Sequence, residues 1–511
     1  MLSKHPPYWA EHAACRHQEP LVGEARADVV VVGAGITGLT AAMRLLRAGR
    51  SVTVLEAHRV GAGTTGHSTG HLDAHNDHSF QDLVARIGID NARKVVDARR
   101  EAIEHIASWE NALKLDADFE RLPAYWYTER DEARDWFGIE AELARKLGLE
   151  ASVTETVPLP FRTGPGMRLG NQARFSPLKY LCNLARTFTE AGGKIYENVR
   201  AIDVQPDGSS SRIRTADGAV ITAHEVILAT HLPWTGFFSL QSRVYPYQSY
   251  AMAVKVADPV PDALFWDNAD PYHYTRLADT NDPTTLIIGG ADHHTGDQHG
   301  DQAYADLERY ILQRYDVVAI THRWSSEYYE TADTLPFIGR VPSQPRLYIG
   351  TGYSGTGLTW GTFAGIMLSE LAVGNTHRCE QLLSPSRFQP RNSFSRMATE
   401  LAHIAEHLVG DRVGPGEVEL VDDIPPGQGR IMLIRGRRLA VYRDEVGKVH
   451  AHSATCTHAG CIVHWNNAES TWDCPCHGGR YDPFGRVLNG PPREPLAGTR
   501  AQEQTRVRSV P

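Results

Sequence analysis

The sequence predicts an α/β Rossmann-like domain followed by a small all-β domain at the C-terminal end. Three observations lead there. In "DVVVVGAGITGLTAA" a glycine-rich turn joins an apolar strand to a helix. In "RLYIGTGYSGTGLTWGTFAGIMLSELAVG" a strand, a glycine-rich loop and a helix follow one another again. From Glu417 the composition changes to short strands and turns that carry "CTHAGC" and "CPCHGGRY".

The elements follow in chain order. Residues 28–57 read as a β-α-β unit: "DVVVVG" is a buried strand, "ITGLTAAMRLLRAG" an amphipathic helix and "SVTVLEA" the next strand. Residues 81–120 carry apolar and charged positions at helical spacing, and 174–193 form another helix ending at Gly192 and Gly193. Short strands with turn signals follow in "KIYENVRAIDVQ", "PDGSSSRIRTADG" and "HEVILATH". Residues 243–290 are strand-rich and aromatic. The segment 376–416 is a polar connector with one helix in "SFSRMATELAHIAEHLVG".

The 511 residues carry a net charge of −9, which gives no electrostatic reason to expect nucleic acid as a partner. The N-terminus lacks the charged start and apolar run of a secretory signal, and the apolar runs are too short and too broken for a membrane span. The expected location is the cytoplasm. Four of the seven cysteines lie in the C-terminal cluster, while Cys15, Cys182 and Cys379 are scattered, so no general disulfide framework is expected.

Gly33, Gly35 and Gly38 form G-x-G-x-x-G in its required strand–turn–helix context. The first permits the tight turn, the second lets backbone approach a pyrophosphate, and the third lets helix pack on strand. Glu56 closes the second strand, where a carboxylate can accept from both ribose hydroxyls. With "LEAHRVGAGTTGHSTGH", "GNQARFSPLKYLCNLARTFTEAGGKIYENVRAIDV", "VILATHLPW", "TADTLPFIG" and "GYSGTGLTWGTFAG", residues 25–375 resemble the FAD-dependent amine oxidoreductases of the D-amino acid oxidase superfamily. That group includes glycine oxidase, dimethylglycine dehydrogenase and gamma-glutamylputrescine oxidase.

The resemblance implies FAD-binding parts at about 25–95, 165–240 and 325–375, and substrate parts at about 96–164 and 241–324. It places Thr64, Thr65 and His67 beside the isoalloxazine ring. His67 occupies the place of a histidine that the dimethylglycine dehydrogenase group links covalently to flavin; a covalent link and an uncharged histidine near the ring both remain open. His71, His75 and His78 follow at spacings like those of a metal site on a helix, and such rows also line pockets. The backbone N–H groups of Gly355, Thr356, Gly357 and Leu358 are expected at the flavin's pyrimidine edge, and Val199 at the adenosine half. Where glycine oxidase grips the substrate carboxylate with an arginine, this chain has Tyr329, so a simple α-amino acid is doubtful as substrate. Arg276 is the candidate substitute, beside a structural reading of it. Tyr245, Tyr247, Tyr250, Tyr272 and Tyr274 are candidates to line the pocket. With no dedicated general base evident, His67, His71 and the pocket tyrosines are candidates, and His67, His71, Tyr329 and Arg276 are the candidate catalytic residues.

Cys456 and His458 give C-x-H; Cys474 and His477 give C-x-x-H. Zinc is one reading. Two thiolates on one iron and two imidazoles on the other explain the mixture better. Residues 417–503 resemble Rieske domains, specifically those of cytochrome bc complexes. The resemblance implies Cys456, His458, Cys474 and His477 as ligands of a [2Fe-2S] cluster, a Cys461–Cys476 disulfide between the two cluster loops, and "GPPREPL" as the loop over the cluster. The high-potential members have a serine where this chain has Gly479, while the tyrosine that donates to a cysteine sulfur is kept as Tyr481; one hydrogen bond fewer implies a lower potential.

The resemblances therefore imply an α/β FAD-binding Rossmann-like domain with an α+β substrate domain, plus a C-terminal all-β Rieske domain. The implied reaction is hydride abstraction from a small amine by FAD, then single-electron transfer through the cluster to an external acceptor. Alternatively, an external donor feeds the flavin through the cluster, oxygen reoxidises the flavin while the cluster is structural, or Cys461–Cys476 serves as a redox switch.

Overall fold

A computed structural model describes residues 4–75, 77–130, 133–234, 238–297, 300–342 and 344–499. Its first sheet has the order 337–341, 344–351, 220–228, 24–32, 52–55, 194–196. The four strands from 344–351 to 52–55 run parallel, and Lys194–Tyr196 continues in parallel at the edge. Val29, Val30, Val31 and Val32 are buried in the central strand, the continuous apolar run that a strand covered on both faces requires. The helix Ile36–Arg47 packs on that sheet and against Gly357–Ala372, the helix after the second glycine-rich loop.

The second sheet has nine strands. Along its path lie 317–331, 244–256, 282–294, 274–279, 264–267, 120–127, 166–174 and 71–72. Gly166–Arg174, His71–Leu72 and the end of Val317–Thr331 belong to this sheet, although they lie within the segments assigned above to flavin binding. The helical span 81–120 is also two helices and a loop. Gly88, at φ 76°, separates Phe80–Ile87 from Ile89–Leu113, and a strand begins at Glu120.

The C-terminal domain is all-β, with antiparallel sheets of three strands (428–434, 437–443, 449–453) and four (464–466, 471–473, 480–481, 487–489). The connector helix is Pro390–Val409. Two cysteines read as scattered are in fact joined: Cys15 and Cys182 form a disulfide that ties the N-terminal segment to the helix Pro177–Glu190. Their 167-residue separation leaves no spacing pattern that would reveal the pair. Among the described residues, no helix is long and apolar enough to cross a membrane.

Candidate functional site

A cavity of about 1090 Å³ runs from the glycine-rich turn to the second sheet. At its nucleotide end the backbone leaves no room for side chains. A Cβ on Gly33 would strike the Ala229 carbonyl, and one on Gly38 would strike the Gly33 carbonyl. Gly35 caps the helix Ile36–Arg47, whose first turn faces the cavity with its partial positive charge. Glu56 accepts from the N–H groups of Ala34 and His58, both at 2.8 Å, and burial raises its pKa against those bonds. Val199 lines this end, but its N–H is spent on the Glu56 carbonyl (2.8 Å).

The segment 63–71 borders the middle of the cavity. The Thr64 hydroxyl donates to the Glu327 carbonyl (3.0 Å), and Thr65 Oγ1 accepts from the Ile36 N–H (3.2 Å). His67 Nδ1 lies 3.0 Å from the Gly63 carbonyl, so Nδ1 carries the proton and Nε2 keeps its lone pair. Burial lowers the pKa of His67, and that of His71 to about 3, keeping both rings neutral. Across the cavity, the Gly355 N–H goes to Asp77 (3.0 Å) and the Thr356 hydroxyl accepts from Arg99 (2.8 Å). Of the four positions expected at the pyrimidine edge, Gly357 and Leu358 open the helix Gly357–Ala372, whose first turn borders the cavity with its partial positive charge.

The second sheet supplies the far wall. Asp292 lines the cavity there with Tyr247, Tyr272, Tyr274 and Tyr328, and Trp126 and Trp266 of the same sheet line it too. The Tyr328 hydroxyl donates to Asp292 Oδ2 at 3.0 Å, while Oδ1 is shut off from solvent and has no hydrogen-bond partner. Burial pushes Asp292 up to about 7 against the pull of the Ser249 and Tyr328 hydroxyls, and it pushes Asp77 to about 7 against the pull of Arg99. Arg396, from the connector helix, is paired with Glu330.

Several sequence-derived candidates sit elsewhere. Arg276 is buried with its guanidinium committed to the carbonyls of Thr69, Leu277 and Phe175 and its face on Trp9, so it cannot grip a substrate carboxylate. Tyr245 and Tyr250 do not line the cavity; Tyr245 donates to the Ser242 carbonyl, and Tyr250 packs on His293 and Tyr304. His71 is on a strand, and His75 and His78 are in the loop that follows, so the three lack a helix's common face. His75 packs among Phe80, Trp126 and Trp266. Tyr329 borders the cavity, yet its hydroxyl donates to the His477 carbonyl at 3.2 Å.

That contact leads into the C-terminal domain. Cys456 and Cys474 are free, buried thiols; Cys461 and Cys476 are joined as a disulfide. The rings of His458 and His477 lie 4.9 Å apart and perpendicular. The two loops close alike, with the Gly460 N–H on the Cys456 carbonyl (3.1 Å) and the Gly478 N–H on the Cys474 carbonyl (3.0 Å). Facing each other, the thiols split: their mutual hydrogen bond pulls Cys456 down to about 7 and pushes Cys474 well up. The Tyr481 hydroxyl is 3.2 Å from Cys456 Sγ. A buried His477 Nδ1 without a partner, beside two buried thiols, fits a thiolate- and imidazole-bound iron pair. The cradle at Gly33 and Gly38 fits a dinucleotide as well. Leu488, Asn489, Gly490, Pro492 and Arg493 of the same domain line the nucleotide end of the cavity.

A dinucleotide cradle opening onto a substrate wall, closed by a domain built for an iron pair, defines a flavin and iron–sulfur oxidoreductase. A match to the family described as "FAD dependent oxidoreductase" spans residues 28–371, and one to "Rieske [2Fe-2S] domain" spans 415–505. The chain belongs to this FAD-dependent oxidoreductase family and carries a C-terminal Rieske domain; it binds FAD and a [2Fe-2S] cluster. It is 31% identical, over 96% of both chains, to a Bacillus subtilis protein described as "Putative Rieske 2Fe-2S iron-sulfur protein YhfW". Escherichia coli gamma-glutamylputrescine oxidoreductase is 25% identical over 76% of this chain and 93% of its own. The crystal structure of glycine oxidase from Geobacillus kaustophilus superposes with a TM-score of 0.58 at 18% identity, covering 71% of this chain and all of that one, a likeness of fold. The protein is thus an FAD-dependent amine or amino-acid oxidoreductase.

Proposed function

We propose that the protein oxidises a C–N bond in a small cationic amine and passes the electrons singly through its cluster to an external one-electron acceptor. The observation that carries this reading is Asp292. It lines a cavity walled by tyrosine and tryptophan, and Arg396 on the same cavity is already paired with Glu330. A carboxylate on that wall suits an ammonium, and the rings suit the cation's apolar flanks. Neither Arg276, occupied by carbonyls, nor Arg396, paired with Glu330, offers an open guanidinium to an α-carboxylate. The name of the gamma-glutamylputrescine relative points the same way.

In the reaction the amine loses two electrons and two protons to become an imine, which water hydrolyses to a carbonyl compound and an amine. Bound FAD supplies the two-electron acceptor and the bound cluster a one-electron relay. Asp292 accepts the proton that the substrate ammonium releases. His67 and His71 remain neutral walls to the cavity, and His67 Nε2 stays available for a covalent flavin link.

Anaerobic mixing of the holoenzyme with diamines, secondary amines and α-amino acids tests this. We expect amines to bleach the flavin and then to produce the reduced-cluster resonance. Reaction with α-amino acids alone would refute the amine class. A bleached flavin beside a permanently oxidised cluster would refute the relay.

A further inference from the structure

Two side chains of the oxidoreductase region end on the cluster's histidine loops. Gln241 is 6% exposed and sits at the end of the short helix Phe238–Gln241. Its Nε2 donates to the Pro233 carbonyl at 2.8 Å, which fixes the orientation of the amide. Its Oε1 therefore faces His458 Nε2, also at 2.8 Å. A carboxamide oxygen only accepts, so His458 Nε2 must carry the hydrogen, and the Nδ1 lone pair is the one left for a metal.

Tyr329, 1% exposed, does the corresponding work on the other loop through the His477 carbonyl. The loop approaches so closely that a Cβ on Gly478 would crowd Tyr329, Glu327 and Pro246. On its other side, the Tyr329 ring lies edge-on to His231, with centroids 4.5 Å apart. His231 Nδ1 is 3.3 Å from Thr64 Oγ1 on the cavity wall. A continuous run of packed groups thus joins the flavin cavity to the cluster loops.

We propose that Gln241 and Tyr329 are positioning residues that complete the cluster's outer shell from the oxidoreductase region, fixing the imidazole and loop of its two histidine ligands. Hydrogen bonds of this kind set a ligand's tautomer, ring orientation and basicity, and through them the properties of the metal centre. The cluster then works as a docked part of one unit, with its histidine edge held against the partner it serves.

The test uses the full-length holoenzyme and reads the cluster directly, by dithionite titration and electron paramagnetic resonance, without amine turnover. Gln241→Leu removes the acceptor at nearly constant volume, and Tyr329→Phe removes only the hydroxyl. Both variants are expected to shift the cluster's resonance lines and its midpoint potential. Gln241→Glu, which keeps an accepting oxygen, is expected to restore the wild-type line shape. Wild-type lines and potential in both Gln241→Leu and Tyr329→Phe would overturn the proposal. If Gln241→Leu fails to hold the cluster, Gln241→Glu decides: a wild-type signal supports the assignment, and loss of the cluster there too overturns it. Failure of the amine reading leaves all these readouts unchanged, so the two outcomes are distinguishable.

Discussion

Asp292 and Tyr329 show how far single residues could be read. On one strand, Tyr328 and Tyr329 reach opposite ways, as strand alternation demands: one hydroxyl meets Asp292, the other the His477 carbonyl. Position along the sequence suggested a substrate role for Tyr329, and it carries no sign of the domain that docks on it. Asp292 was equally hidden, because nothing in "GGADHHTGD" singles it out and only the sheet places it in an aromatic cavity. Its pKa of about 7 gives a signed expectation. Below that pH the carboxyl is neutral and cannot pair with an ammonium, so kcat/KM for a cationic amine should rise as pH climbs through about 7. Asp292→Asn should flatten that limb. It should also lower kcat/KM at about pH 8 by roughly ten- to a hundredfold, the value of a charge-assisted hydrogen bond of about 1.5–3 kcal/mol. Steady-state pH profiles of both proteins check this, and an unchanged profile in the variant would remove Asp292 from substrate binding. The same elevated pKa means that folding favours the protonated form. Any stability Asp292 contributes is present below about pH 4 and lost as pH rises through about 7.

At the scale of elements, legibility followed locality. The strand–turn–helix at 24–47 obeys a backbone rule written within a few residues, and the two Cys/His loops are equally self-contained. The second sheet is different. Its neighbours come from distant parts of the chain, with Leu264–Asp267 beside Glu120–Tyr127, and no local pattern states such an order. The helical spacing in 81–120 was real, but it did not reveal the left-handed turn at Gly88 that divides it. The glycine cradle supports a sharp expectation. Gly38→Ala drives a methyl group into the Gly33 carbonyl, so helix and strand must part. Overpacking of this kind costs about 1–3 kcal/mol. The purified variant should lose most of its flavin, read as the flavin-to-protein absorbance ratio, while keeping the cluster resonance. Full flavin retention would mean that the helix can shift without cost to the site.

At the scale of the whole molecule, the parts are held together by a histidine and aspartate clasp in which the connector helix is the middle layer. From that helix, His403 Nε2 and His407 Nε2 meet Asp297 of the substrate part at 2.8 and 3.1 Å. His407 Nδ1 meets Asp411 at 2.9 Å, and Asp411 in turn meets His464 of the cluster domain at 2.9 Å. The hydrogen bonds to Asp297 and Asp411 raise His407 to about 9. Burial opposes charge on both aspartates, but their imidazole partners prevail and hold them below the ordinary carboxylate range. Burial likewise opposes charge on His464, and Asp411 outweighs it. A histidine raised in this way contributes stability that is fully present below about pH 6.5 and lost as pH climbs through about 9; the aspartates lose theirs only in acid. Allowing for solvent screening, the His407 contribution is about 1–2 kcal/mol. The cluster domain should therefore loosen between about pH 7 and pH 9.5, seen as faster hydrogen exchange in 464–489 and in the connector helix. His407→Leu should exchange faster already at about pH 6.5 and gain little more with pH, after correction for the intrinsic rate. Equal exchange in both proteins across that range would show that packing around Tyr329 and Gln241, not this clasp, holds the cluster domain in place.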